Sequence, residues 1–253
     1  MRADLERVKR AVAGFTRPRV ARDFKDALGV NNSLRMRQVE VVSLSKSLPT
    51  ATVKIGGSSR NLNTIPYFSC LPCPTYAAWA LTDDQSMWIW ASQGPAPTMR
   101  LNHTGTQNHT SSGNEQNVDF QNPMPSGVPG NGGWDFWSLW NSGQSARLPV
   151  PAPGMYTLNG NVSFAANNVG RRYALIKRVD NSNEVAREDE HTLTNTIVSM
   201  TLNQLVKVAD ATGVEFTLTA FQNSGGNLGY ITNSGNTNYS PMLSWTWMGP
   251  YGA

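Results

Sequence analysis

Three places in this 253-residue sequence hold side chains of the kinds that do chemistry. The first is Cys70-Leu71-Pro72-Cys73, which contains both cysteines of the chain. Two thiols cannot fill a four-ligand zinc site within one chain. A redox Cys-x-x-Cys needs a helix N-terminus behind a strand, and here Pro72 and Pro74 flank Cys73 in a β-rich stretch. Plain structural thiols are expected, with a disulfide as the first alternative and redox or metal chemistry behind it. The second place is a small internal echo, Asn102-His103-Thr104 and Asn108-His109-Thr110. In a trimer, a histidine on the axis could ligate a metal with its two mates. An exposed histidine in a polar connecting segment is the plainer reading. The third is Glu188-Asp189-Glu190-His191. Two carboxylates about 5–10 Å apart across a groove can hydrolyse a glycoside. Neighbours along one extended strand point alternately away from each other, so a solvated loop is expected instead.

No other constellation suggests catalysis. The sequence has no Gly-x-Ser-x-Gly, no His-Glu-x-x-His and no Gly-rich phosphate loop with its lysine. The expectation is a protein that is not an enzyme, with no catalytic, cofactor or metal residues and no cofactor. The side chains that do stand out are apolar. Leu5, Val8, Val12 and Phe15 are spaced three, four and three apart, the narrow stripe of a short helix over residues 1–15. Trp134-Asp135-Phe136-Trp137-Ser138-Leu139-Trp140 is the most aromatic stretch. Read as a strand, it places Trp134, Phe136 and Trp140 on one face and Trp137 and Leu139 on the other, too much apolar surface for one sandwich face to bury. Leu5, Val8, Val12, Phe15, Trp134, Trp137 and Trp140 are therefore the candidate interface residues. A sugar-binding platform is the rival reading of the tryptophans.

The elements that must position these residues are strands. After Pro149-Val150-Pro151-Ala152-Pro153-Gly154, the residues Tyr156, Leu158, Val162 and Phe164 alternate with Thr157, Asn159, Asn161 and Ser163, which predicts a strand with one buried face. Val214, Phe216, Leu218 and Ala220 repeat the pattern, as do Leu243, Trp245 and Trp247. Between them lie β-rich runs at 173–179, 192–202 and 205–208. Turn signals fall at Asn167 to Gly170, Asp180 to Asn183, Ala211 to Gly213 and Asn223 to Gly226. Short strands at this spacing predict a sandwich or barrel.

Two stretches resemble known families. Pro151-Ala152-Pro153-Gly154-Met155-Tyr156-Thr157-Leu158 resembles a strand of the complement and tumour-necrosis-factor type jelly roll. Ser163 to Arg172 is similar to the version found at the C-termini of bacteriophage tail proteins, as are Leu205 to Val208, Phe221 to Gly226 and Ser240 to Trp245. The resemblance covers roughly residues 115 to 250. It implies an eight-stranded, trimeric jelly roll used for structure or recognition. Upstream, Val53 to Gly57, Ile65-Pro66-Tyr67 and Ala78 to Asp84 follow an order similar to the OB-like barrel of phage tail and baseplate proteins. OB folds can stack bases on aromatics, but Trp88 and Trp90 share one strand face and read as core or subunit contact.

The expected fold is thus mainly β: a short N-terminal helix, a small OB-like β-barrel and a C-terminal antiparallel jelly-roll sandwich. The expected domains are a helical arm at 1–33, the OB-like domain at 34–92, a polar linker at 93–114 and the jelly roll at 115–253. The formal net charge is +4, with the basic excess in the first hundred residues. A docking arm accounts for it, and nucleic acid is not an expected partner, since no binding module accompanies the charge. No run of about 18 apolar residues suggests a membrane span, and the charged first residues do not read as a signal peptide. The resemblance implies a structural subunit of a bacteriophage tail, a minor tail or tail-tip protein assembled in the host cytoplasm and carried in the virion. Its expected partners are two further copies of itself, other tail proteins and a host receptor or glycan. The alternatives are a tail enzyme that degrades host polysaccharide and a purely architectural virion protein such as a capsid decoration protein.

Overall fold

The computed structural model describes residues 35–67, 77–82, 87–92, 97–103, 107–110, 113–120, 134–135, 137–191, 195–231 and 240–250. The expected N-terminal helix and both cysteines lie outside them. The chain divides into two compact units, one of Met1–Ser45 with Pro49–Pro95, the other of Lys46–Leu48 with Ala96–Ala253.

The described residues of the first unit form one antiparallel sheet of β1 (Arg35–Leu44), β2 (Thr50–Ile55), β3 (Asn61–Pro66), β4 (Ala77–Thr82) and β5 (Met87–Ser92), in the order β3-β2-β1-β4-β5. Val39, Val41, Ala51, Val53, Ala78, Ala80 and Ile89 form its buried face. The register between β1 and β2 slips between Val41 and Ser43. Such a bulge inserts one extra residue and changes which side chains share a face, which is why the apolar spacing jumps from Val41 to Leu44. Among the described residues no closed barrel forms, and one parallel bridge, Tyr67 to Ile89, links the two edges. Trp88 and Trp90, weighed above against base stacking, sit on β5, and Trp79 sits on β4; the side chains of all three lie outside the described set.

The described residues of the second unit form twelve strands: β6 (Thr98–Asn102), β7 (Asn108–His109), β8 (Gln116–Asn117), β9 (Trp134–Asp135), β10 (Leu148–Pro149), β11 (Gly154–Phe164), β12 (Arg171–Arg178), β13 (Glu184–His191), β14 (Val198–Val208), β15 (Glu215–Gln222), β16 (Leu228–Gly229) and β17 (Met242–Gly249). One sheet runs β14-β11-β17-β6-β9 and the other β10-β15-β12-β13, with β8 also on β15. From β11 onward the chain passes repeatedly between the two sheets, the connectivity of an antiparallel jelly roll. Segments 98–102 and 108–109, inside the stretch expected as a polar linker, are strands: β6 pairs along β17, and β7 pairs with β16. Few large apolar residues were needed there, because Met99 and Leu101 alone supply the inward positions of β6.

Alternation builds the core as read. Tyr156, Leu158, Val162, Phe164, Phe216, Leu218, Ala220, Leu243, Trp245 and Trp247 are all buried. At the midpoint of β11 the inward position is Gly160. A Cβ there would lie 3.2 Å from Leu218 Cδ1 and 3.3 Å from Ile176 Cδ1, so the missing side chain lets the second sheet pack close. The Pro-rich lead-in is clamped by two aromatics. The Tyr156 hydroxyl donates to the Ala152 carbonyl and accepts from the Ala152 amide at 3.3 Å, and Trp245 Nε1 donates to the Pro149 carbonyl at 2.9 Å. From Val198 onward the β-rich runs expected at 192–202 and 205–208 form one continuous strand, β14, and residues 192–194 lie outside the described residues.

Candidate functional site

The predicted surfaces fare differently. Leu5, Val8, Val12 and Phe15 lie outside the described residues. From Trp137 to Trp140 the aromatic stretch is not a strand, and residue 136 lies outside the described residues. Ser138 turns the chain with φ 52°, its amide reaches the Asp135 carbonyl at 3.3 Å, and Asp135 Oδ2 accepts from the Trp140 amide at 2.7 Å. A carboxylate that caps a turn defeats the alternation, so Trp134 and Trp140 do not share a strand face. Trp134 heads β9 with its side chain outside the described set. Trp137 and Trp140 are half-buried, and their indole nitrogens have no hydrogen-bond partner among the described residues.

Neither histidine is exposed. His103 and His109 are 1% and 0% exposed. His109 Nε2 lies 2.6 Å from the Ala220 carbonyl, its Nδ1 lies 2.9 Å from the Thr110 carbonyl, and His103 Nδ1 meets the Asp119 carbonyl. Tyr230 packs edge-on against both rings, and burial raises its phenol above the usual range. Gln222 completes this polar end of the core by donating to the His109 and Gly226 carbonyls, each at 2.9 Å. His109 lies on the short strand β7 and His103 directly follows β6, and the carbonyls and the Tyr230 ring around them are what bury both rings.

The acidic run is not a loop either. Glu188 to His191 belong to β13, an exposed strand at the edge of its sheet. The carboxylates of Glu188 and Asp189 are committed to structure. Glu188 Oε2 accepts from the Thr201 amide of β14 at 2.6 Å. Asp189 accepts from Arg171 Nε at 2.8 Å and from Arg187 at 3.1 Å, and the bond from Arg171 leads in holding its carboxyl down at about 2. Arg187 lies 4.2 Å and Arg171 5.3 Å over the Tyr173 ring, which also stacks on Phe221 at 4.4 Å and 5°. Tyr173 donates to Glu115 at 3.1 Å, and Lys177 pairs with the same carboxylate. Partial burial pushes the Glu115 carboxyl up, but the bonds from Lys177 and Tyr173 outweigh it and leave it below its usual value.

The outward faces of the two sheets therefore differ in chemistry. On the sheet of β8, β15, β12 and β13 the charged and aromatic residues interlock. A cleft of about 270 Å³ lies among Glu115, Asn117, Arg147, Lys177, Thr217 and Thr219. On the other sheet, strand parity presents Thr157, Asn159 and Asn161 of β11 beside Thr201 and Asn203 of β14 and Ser244 and Thr246 of β17. Leu205 and Met248 stand out from that sheet at 56% and 58% exposed. Arg100 and Lys207 are its outward charges, and no carboxylate lies on β11, β14, β17 or β6. Sequence parity shows this contrast in advance. It does not show the cleft, because Thr217 and Thr219 look like any solvated strand residues until the longer side chains around them are placed.

This pairing pattern makes the second unit a two-sheet antiparallel jelly roll. Comparison with solved structures returns domains of the tumour-necrosis-factor and complement type. Murine APRIL at pH 5.0 is 12% identical with a TM-score of 0.41, over 61% of this chain and 100% of that one. The Eiger TNF from S. frugiperda is 10% identical with a TM-score of 0.42, over 63% and 97%. The globular domain of zebrafish complement 1qA is 10% identical with a TM-score of 0.38, over 60% and 96%. No family model and no curated protein matches the sequence.

Proposed function

We propose that this chain is a structural subunit of a bacteriophage tail, a minor tail or tail-tip protein that forms a homotrimer and contributes to attachment at the host surface. The observation that carries the reading is the outward face of the β14-β11-β17-β6-β9 sheet. Identical copies meeting on one face repel wherever that face is rich in one charge, and desolvating charges is costly. Here the central strands present Ser, Thr and Asn, with Leu205 and Met248 exposed beside them. Small neutral side chains and exposed apolar ones suit a contact between copies. A symmetric oligomer then multiplies any weak surface site through effective concentration, without a new contact. The commitment of Glu188 and Asp189 to hydrogen bonds within the fold supports a binding or structural role over glycoside hydrolysis.

Light-scattering mass of the full chain tests the assembly. Three chain masses are expected at micromolar concentration, and a monomer overturns the reading. Leu205→Glu and Met248→Glu together place like charges on the face and should lower the mass. Adsorption of particles carrying that double variant separates attachment from a purely architectural role: slower adsorption with intact particles is the expected result.

A further inference from the structure

We propose that the cleft on the outer face of the β15–β12 sheet is a binding site for a carboxylate-bearing sugar of monosaccharide size. Its floor is two threonines. Thr217 and Thr219 lie on outward positions of β15, where Thr217 faces Lys177 and Thr219 faces Asn117 across the ladder. Short side chains surrounded by lysine, arginine and glutamate leave a depression, and its volume of about 270 Å³ suits one sugar ring.

The cleft is polarised along β15. At the Thr217 end stand Arg178, opposite Phe216, and Arg147, next to Leu148, which also faces Phe216. At the Thr219 end stand Glu115 and Asn117. A ligand with an anionic group at one end and hydroxyls at the other matches this order. A compact anion alone does not, because it would meet Glu115.

The cations retain donors for such a ligand. Arg147 gives one nitrogen to Glu215 at 2.8 Å, and Arg178 gives Nε and one terminal nitrogen to Asp180 at 3.0 and 2.6 Å. Each guanidinium has five N–H groups in a fork that fits a carboxylate. Half-exposed ion pairs hold their partners weakly, so sharing them with a ligand costs little. The floor supplies an independent sign. Thr217 is 7% exposed and its hydroxyl has no hydrogen-bond partner among the described residues, whereas Thr219 donates to Asn117 at 3.0 Å. A buried hydroxyl with nothing to bond is an unfavourable arrangement unless something else completes it.

This inference does not depend on the trimer or on attachment. Calorimetric titration of the full chain with glucuronate, glucose and inorganic phosphate tests it. Glucuronate should bind, with glucose and phosphate each at least about tenfold weaker, since charge-assisted bonds are about twice as strong as neutral ones. Thr217→Val is close in shape and removes only the hydroxyl. It should melt no lower than the parent and bind glucuronate at least about threefold more weakly, the scale of one net hydrogen bond. Arg147→Gln should weaken glucuronate and leave glucose unchanged. Glucose or phosphate binding as tightly as glucuronate overturns the proposal, as does Thr217→Val binding glucuronate with parental affinity, or an absence of glucuronate binding.

Discussion

Glu188 Oε2 accepts a hydrogen bond from the backbone amide of Thr201 at 2.6 Å. The two residues belong to different sheets, on β13 and β14, and both strands are edges. An edge strand exposes unpaired amides that invite another chain. Here a carboxylate from the facing sheet occupies one of them and ties the open side of the sandwich. A charge-assisted bond contributes about 1.5–3 kcal/mol when well sheltered, and this one is exposed. Glu188→Ala should therefore lower stability by about 1 kcal/mol in urea denaturation, with Glu188→Gln recovering part of it. A loss within error for both would remove the tie.

The neighbouring carboxylate gives a pH dependence. Asp189 is held at about 2 by Arg171 first and by Arg187, below the ordinary aspartate value of about 3.9. A carboxyl depressed in the folded state adds stability that is fully present above the unfolded value and is lost as pH falls through the folded one. The loss should run between about pH 4 and pH 2. Asp189→Asn should be less stable at neutral pH and should show a shallower fall across that window, read from melting temperature against pH.

At Gly160 side chains of the second sheet approach the β11 backbone closely. An alanine methyl at that position must push Leu218 and Ile176 aside. Overpacking of this kind costs about 1–3 kcal/mol, so Gly160→Ala should lower the unfolding free energy by that amount despite the better strand propensity, read from urea denaturation. Unchanged stability would mean that the sheets separate freely there.

Tyr156 tests the clamp on the proline-rich lead-in. Its ring is buried against Trp245, edge-on at 5.5 Å, and its hydroxyl serves both polar groups of Ala152. Tyr156→Phe keeps the packing and strands that amide and carbonyl. The expected loss is about 1–3 kcal/mol. Hydrogen exchange at the Ala152 amide should also quicken, which a defect confined to packing would not produce.

The jelly roll is legible in the sequence because its core obeys period two. Tyr156 to Phe164 and Leu243 to Trp247 announce their buried faces without help. What escapes is whatever depends on a partner distant in sequence. His103 and His109 sit among Asn and Thr, and nothing local shows that Ala220 and Tyr230 will enclose them. Trp134 to Trp140 looks like a strand until the Asp135 carboxylate finds the Trp140 amide. Arg172 carries the strongest contradiction of residue type: it is 0% exposed and reaches the Asn167 carbonyl at 3.0 Å. The turn before it is readable. Gly170 has φ +87°, and a Cβ there would lie 2.6 Å from Asn223 Oδ1, so glycine is required.

The pairing of β6 with β17 has a kinetic consequence. Thr98 lies beside Thr246, so the first and last described strands of the jelly roll are neighbours in one sheet. Closing so long a stretch of chain is slow, because the entropy of loop closure is lost before the contact forms. During synthesis β6 leaves the ribosome early and waits for its partner with an open edge. A chain of this design is exposed to mispairing with other nascent copies until its final strand arrives. Its yield in the cell should therefore depend more on translation speed and chaperone supply than its finished stability would suggest.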